Sequence, residues 1–100
     1  MKMSLISEEI FKKAKHAVID LDEEAVERVA LKCLEAGINP VDLIEKGFIE
    51  GMNELGIIFE AGQIPFSQML KAEHVVQTGI NVLKSIRNSK GNFHGLLISA

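Results

Sequence analysis

The sequence is poor in several residue types. It has one cysteine, two prolines, no tryptophan and no tyrosine, and five phenylalanines are its only aromatics. A single thiol, Cys33, excludes an internal disulfide and fits a reducing compartment. No apolar run approaches the roughly 20 residues that a membrane helix needs, and Met1 to Leu5 lack the hydrophobic block of a signal peptide. A cytoplasmic chain with no membrane partner is expected. Positive charge is scarce too: 11 Lys and Arg stand against 14 Asp and Glu, for a formal net charge of -3. With no basic stripe to neutralise a phosphate backbone, no nucleic-acid partner is expected. The sequence also lacks a glycine-rich phosphate loop, a nucleophile elbow and any Cys/His arrangement at ligand spacing. His16, His74 and His94 are far apart, so no metal site and no catalysis by this chain alone are expected.

What is present is helical periodicity. One hundred residues, 47% hydrophobic and 25% charged, make a single soluble domain with a small core. The run SEEIFKKAKHAVIDL places Ile6, Ile10, Ala14, Ala17, Val18 and Leu21 on one stripe, with Ser7 as the expected N-cap. Asp22 then caps EEAVERVALKCLEAG, where Val26, Val29, Ala30, Cys33 and Leu34 keep the helical spacing and Gly37 supplies the stop. Asn39 and Pro40 open a third, longer helix running to about Glu60. After AGQIP, a fourth segment sets Met69, Ala72, Val76, Gly79, Ile80 and Leu83 on a broad face and is expected to end near Ile86. The fold class is therefore all-α, a four-helix bundle with antiparallel neighbours. The polar break NSKG and the short apolar run FHGLLISA read differently, as a linker and the first strand of something cut off. The expected division is 1–88 for the helical domain and 89–100 for the linker and stub.

The third helix carries Gly47, Gly51 and Gly56, each of which costs about 1 kcal/mol relative to Ala in a helix interior. On a helical wheel they bracket and interrupt the apolar arc formed by Ile44, Phe48, Met52, Leu55, Ile58 and Phe59, so something approaches the backbone there. Tight packing against another helix, with Ala30 or Gly79 opposite, is one reading. A docked flat ligand is the other, because Glu45, Met52, Gly56 and Phe59 share one sector of the wheel. Ile49 and Ile57 project away from that arc, as a contact surface would.

The block DLIEKGFIEGMNELGIIFEAG, within AGINPVDLIEKGFIEGMNELGIIFEAGQI, closely resembles the helical N-terminal domain of cobalamin-dependent methyltransferase corrinoid proteins. The similarity is greatest to the methylamine and methanol carriers, and methionine synthase has a similar cap. It covers about residues 7–87, with Gly51-Met52 and Gly56, Phe59 and Gly62 at the family's spacing. The resemblance implies a four-helix cap over the methyl-bearing face of a corrinoid. That cofactor, cobalamin, would be held by a following Rossmann-like domain, here a truncated stub, and the cap would swing aside about IRNSKGNF for each transfer. It further implies that Phe59 lies over the methyl face, that Phe66 and Met69 are apolar neighbours, and that Glu45 bonds the corrin periphery; Met52, in the same sector of the wheel as Glu45 and Phe59, joins them as a cofactor-binding candidate. The implied partners are a substrate-specific methyltransferase of methylamine or methanol type, a corrinoid:thiol methyltransferase, and the chain's own cobalamin-binding domain. A homodimer of the fragment through its uncovered face is the remaining partner reading.

Two departures from the family pattern stand out. IPFSQMLKAEHVV sets its proline early and puts Glu73 and Val76 where a small residue and a Met are usual. The Asp-x-His-x-x-Gly string that supplies the lower axial ligand is absent, and His94 in NFHGLL does not replace it. A cofactor-free interaction or oligomerisation module using Ile49 and Ile57 is the rival expectation.

Overall fold

The computed structural model describes the backbone of residues 2–91 and the side chains of residues 6–84. Its elements are α1 (Lys2–Ile19), α2 (Glu23–Glu35), α3 (Pro40–Leu43), a π-helical turn (Ile44–Phe48), α4 (Ile49–Glu60) and α5 (Phe66–Gly91). The α3 helix, the π turn and α4 follow without a break as one rod over residues 40–60, so four helical rods form the bundle. The expected strand stub, and His94 with it, lie outside the described residues.

Local chemistry fixes the rods' ends. The Asp22 carboxylate accepts from the Ala25 N–H at 3.1 Å, and the Asn39 side chain accepts from the Val41 N–H at 2.9 Å beside Pro40. Both caps were expected. Gly37 (φ 74°) and Gly62 (φ 77°) close α2 and α4 in the left-handed conformation that favours glycine. At α1 the same reversal is made by Leu21, at φ 56°. In all three, a paired N–H of the next residue reaches back into the last turn: Asp22 to Ala17, Ile38 to Cys33, Gln63 to Ile58.

Two boundaries differ from expectation. Ser7 is not a cap, because α1 begins at Lys2; no glycine or proline precedes Ser7 to stop the helix. Similarly, α5 does not end near Ile86 but continues through NSKG to Gly91, since polar residues with one terminal glycine do not break a helix as proline would.

The core is built from Ile10, Ala14 and Val18 of α1, Val26, Ala30 and Cys33 of α2, Leu43, Phe48 and Leu55 of the rod, and Ala72, Val75 and Leu83 of α5. Phe48 is its largest fully buried side chain. The α1 helix lies antiparallel to α2, residues 6–10 beside 32–36 and 17–20 beside 22–25. It runs in the same direction as the rod, since Gly47 meets Ala14 and Gly51 meets Val18. The α2 helix packs extensively on α5, whereas α4 and α5, joined by residues 61–65 alone, touch sparingly.

Candidate functional site

Four helical glycines separate into two kinds. A Cβ on Gly47 would lie 2.7 Å from the Ala14 Cβ; one on Gly51 would lie 2.8 Å from the Val18 Cβ and 2.9 Å from the Lys15 carbonyl oxygen. Both glycines let the rod close on α1, so their partner is α1 and neither Ala30 nor Gly79. Gly79 meets a different neighbour, since a Cβ there would lie 2.7 Å from Phe48 Cζ, and its bareness admits the Phe48 ring. Gly56 is different again. Nothing lies within 4 Å of where its Cβ would be. Three glycines are thus explained by packing within the chain, and the fourth is not.

Around Gly56 the sparse α4–α5 seam leaves apolar groups uncovered. Phe59, one turn on at i+3, is 36% exposed, and Phe66, the first residue of α5, is 61% exposed. Their ring centroids are 6.0 Å apart at 49°, a tilted pair within the favourable range for aromatics. Leu70, one turn after Phe66, is 51% exposed, and Ile64 in the connecting loop is half-buried. Leu70 was missed in the sequence because the core stripe of α5 was traced through Met69; its i+4 relation to Phe66 was the available signal.

The other sequence-derived candidates fall less close together. Met52 and Met69 are half-buried and pack against the core. Glu45 is exposed, and among the described residues it makes no hydrogen bond or ion pair. It is 14 residues before Phe59 on the same rod, about 21 Å along the axis at 1.5 Å per residue. A helical wheel hides this distance. The π turn also rotates Glu45 away from the angle that a uniform 100° step gives, since the Ile49 N–H bonds the Ile44 carbonyl five residues back. The structure brings Phe59 and Phe66 together beside Gly56, sets Met52 and Met69 at the edge of the core, and leaves Glu45 apart.

Ile49 and Ile57 are exposed, as expected, at 44% and 68%. Cys33 is buried against the Ile38 carbonyl at 3.5 Å. Burial, and secondarily the negative charge of Asp42, push its thiol up to about 11. It stays protonated and serves as core. Among the described residues no group of three His, Cys, Asp or Glu is placed to hold a metal ion, and no helix is long and apolar enough to cross a membrane.

Residues 10–84 match the family model described as the B12 binding domain. Trimethylamine corrinoid protein 1 of Methanosarcina acetivorans is 49% identical over 77 residues, which are 77% of this chain and 36% of that protein. The trimethylamine corrinoid protein of Methanosarcina barkeri is 47% identical over 76 residues, 76% of this chain and 35% of that one. Dimethylamine corrinoid protein 1 of M. acetivorans is 32% identical over 79 residues, 79% and 37% of the two chains. In three dimensions the chain matches the M. barkeri monomethylamine corrinoid protein with a TM-score of 0.72 and 29% identity, covering 76% of this chain and 36% of that one. The chain spans little more than a third of the length of each.

Proposed function

The chain belongs to the B12 binding domain family, and from that membership we propose that its α4–α5 seam is the lid of a corrinoid methyl carrier. The observation that carries the reading is Gly56: among the described residues nothing lies within 4 Å of where its Cβ would be, and Phe59, one turn on, belongs to a half-exposed aromatic pair with Phe66. A flat macrocycle fits there. Gly56 lets its edge approach the helix, and Phe59, Phe66 and Leu70 offer apolar surface to its face. When bound, the corrinoid supplies a cobalt centre that accepts and gives up a methyl group. This chain's residues would do the rest by exclusion: the aromatic pair keeps water and oxidant from the reactive face and suppresses side reactions there. A lid must also open, and the sparse contact between α4 and α5 leaves their apolar side free to part from a ligand.

The methyl donor we favour is trimethylamine, since the relatives named for it are 49% and 47% identical against 32% for the one named for dimethylamine. The partners would be a substrate:corrinoid methyltransferase, a thiol methyltransferase that takes the methyl group onward, and the cobalamin-holding domain, all in the cytoplasm. Met52 and Met69 would border the lid. Glu45, about 21 Å from Phe59 along the rod, would reach only the far periphery of the cofactor.

A chimaera tests this. The chain replaces the corresponding segment of the M. acetivorans trimethylamine corrinoid protein, and air oxidation of the reduced cobalt is followed by absorbance. Phe59→Ala, Phe66→Ala and Gly56→Leu are each expected to speed oxidation several-fold without loss of helix content. Oxidation at the parent rate in all three would refute the lid and favour the cofactor-free interaction module, whose contact residues would be Ile49 and Ile57.

A further inference from the structure

We propose that Glu73 holds the rim of the corrinoid through one of its carboxamides and so selects an amidated rim over a carboxylate one; the inference rests on the lid reading of the α4–α5 seam. Two contacts set the register of that seam. Phe59 pairs with Phe66 at one end and the Phe48 ring rests on Gly79 toward the other, so the rod and α5 run antiparallel. Glu73, seven residues after Phe66, therefore stands level with Met52, seven before Phe59. That is about 10 Å along the axis from the aromatic pair and one turn beyond Gly56.

The helix period fixes the face. Phe66, Leu70, Glu73 and Gln77 recur at i, i+4, i+7 and i+11 and are all exposed, while Ala72, Val75, Gly79 and Leu83 on the opposite side of α5 are buried. His74 and Thr78, on one flank of α5, both reach Glu23 of α2, at 3.5 and 2.7 Å. The other flank, where Glu73 stands between Met69 and Ile80, is thus the one toward α4. Glu73 extends the strip that Phe66 and Leu70 begin, and it ends that strip with a charge.

Nothing in the chain answers this charge. Among the described residues Glu73 makes no hydrogen bond and no ion pair. The α4 helix carries no Lys, Arg or His, His74 is turned to Glu23, and Lys71, two residues back, falls on the far side of α5. Gln77, one turn on, gives its amide N–H to Asn81 at 3.0 Å. An ionised carboxylate can only accept, and the rim of cobalamin bears primary carboxamides, each with two N–H donors. A hydrogen bond to a charged acceptor is stronger than one between neutral groups. The apolar tip of the strip suits the face of the macrocycle and Glu73 its edge. A rim carboxylate in place of the carboxamide brings no donor and a like charge, so the same side chain discriminates between the two.

The test reads a specificity ratio in the chimaera. Methylcobalamin and a panel of its derivatives, each with one rim carboxamide hydrolysed to a carboxylate, are bound to it, and dissociation constants are measured by equilibrium dialysis and absorbance. For at least one derivative, Glu73→Gln is expected to move the ratio to the parent corrinoid about threefold in favour of the carboxylate, and Glu73→Lys about tenfold, as suits a contact open to solvent. Phe66→Ala should weaken every member alike and leave the ratios where they were. Ratios unmoved in both Glu73 variants, with binding weakened in Phe66→Ala, would overturn the role of Glu73 and leave the lid standing. An equal shift across the whole panel would also overturn it, since that marks a general field and not a contact. Binding unchanged in all three variants would overturn the lid and this proposal together.

Discussion

Alanine at Gly51 and alanine at Gly56 should move stability in opposite directions, although both replace a glycine in one helix. Removing a glycine from a helix interior gains about 1 kcal/mol in either case. At Gly56 nothing lies within 4 Å of the new Cβ, so that gain stands whole. At Gly51 the Cβ would meet the Val18 Cβ at 2.8 Å, the Lys15 carbonyl oxygen at 2.9 Å and the Val18 Cγ1 at 3.1 Å. Backbone and Cβ atoms cannot rotate away, so α1 and the rod must separate along their contact. Overpacking of this kind costs typically 1–3 kcal/mol, roughly twice the propensity gain at its midpoint. Gly51→Ala is therefore expected to destabilise by about 1 kcal/mol and Gly56→Ala to stabilise by about 1 kcal/mol. In a domain of this size, a gap of about 2 kcal/mol separates the melting temperatures by roughly 8–16 °C. Urea denaturation of the isolated chain, followed at 222 nm, measures it directly. Equal shifts of the same sign in the two variants would show that Gly51 is not a contact glycine and would remove the physical distinction of Gly56.

Other substitutions read other parts of the structure. Phe48→Ala empties the centre of the core, where Phe48 is 0% exposed, and should cost about 3–5 kcal/mol by chemical denaturation. Phe66→Ala, at 61% exposure, should change stability by less than about 0.5 kcal/mol, so any loss of cobalt protection in the chimaera would be a site effect. Asp22→Ala removes the acceptor for the Ala25 N–H and should cost about 1 kcal/mol, with faster amide exchange in the first turn of α2. Cys33 should react with a thiol reagent at pH 8 only on unfolding. Because its folded pKa is raised to about 11, the stability tied to its proton is whole below pH 9 and falls as pH rises through about 11, which denaturation midpoints across that range would record.

Much of the bundle was legible because its signals are local. Asp22, Gly37, Asn39 and Pro40 fix their boundaries through contacts within a few residues, and the i, i+3, i+4 spacing of Val26, Val29, Ala30 and Cys33 names its own buried face. Ser7 misled because a cap residue matters only where the chain enters a helix, and α1 had already begun. The resemblance to corrinoid proteins was legible in the glycine spacing and agrees with the family match over residues 10–84. What each glycine does was not. Gly47, Gly51 and Gly56 look alike on a wheel, and only their distances to Ala14, Val18 and nothing at all tell them apart. Glu45 joined the site on the wheel because an angle carries no axial coordinate, and the π turn could not be read from a uniform period.

Where this small domain is well packed and where it is not bears on its chemistry. Glycine contacts clamp the rod to α1, and Phe48 resting on Gly79 ties the rod to α5. Where α4 turns into α5, Phe59, Phe66 and Leu70 nevertheless stay partly uncovered. A domain with so little core gives up stabilisation by leaving three large apolar side chains partly in water, about 25 cal/mol for each Å² not buried. Simple closure of α4 on α5 would recover it, and an alanine at 56 would add helix propensity. The sequence does neither. Both concessions fall at one end of one seam, which is expected if another surface completes that face during function and has to leave it again. A lid that packed perfectly on itself would have nothing to offer a cofactor, and one that held its cofactor by deep burial would not release it for the next transfer.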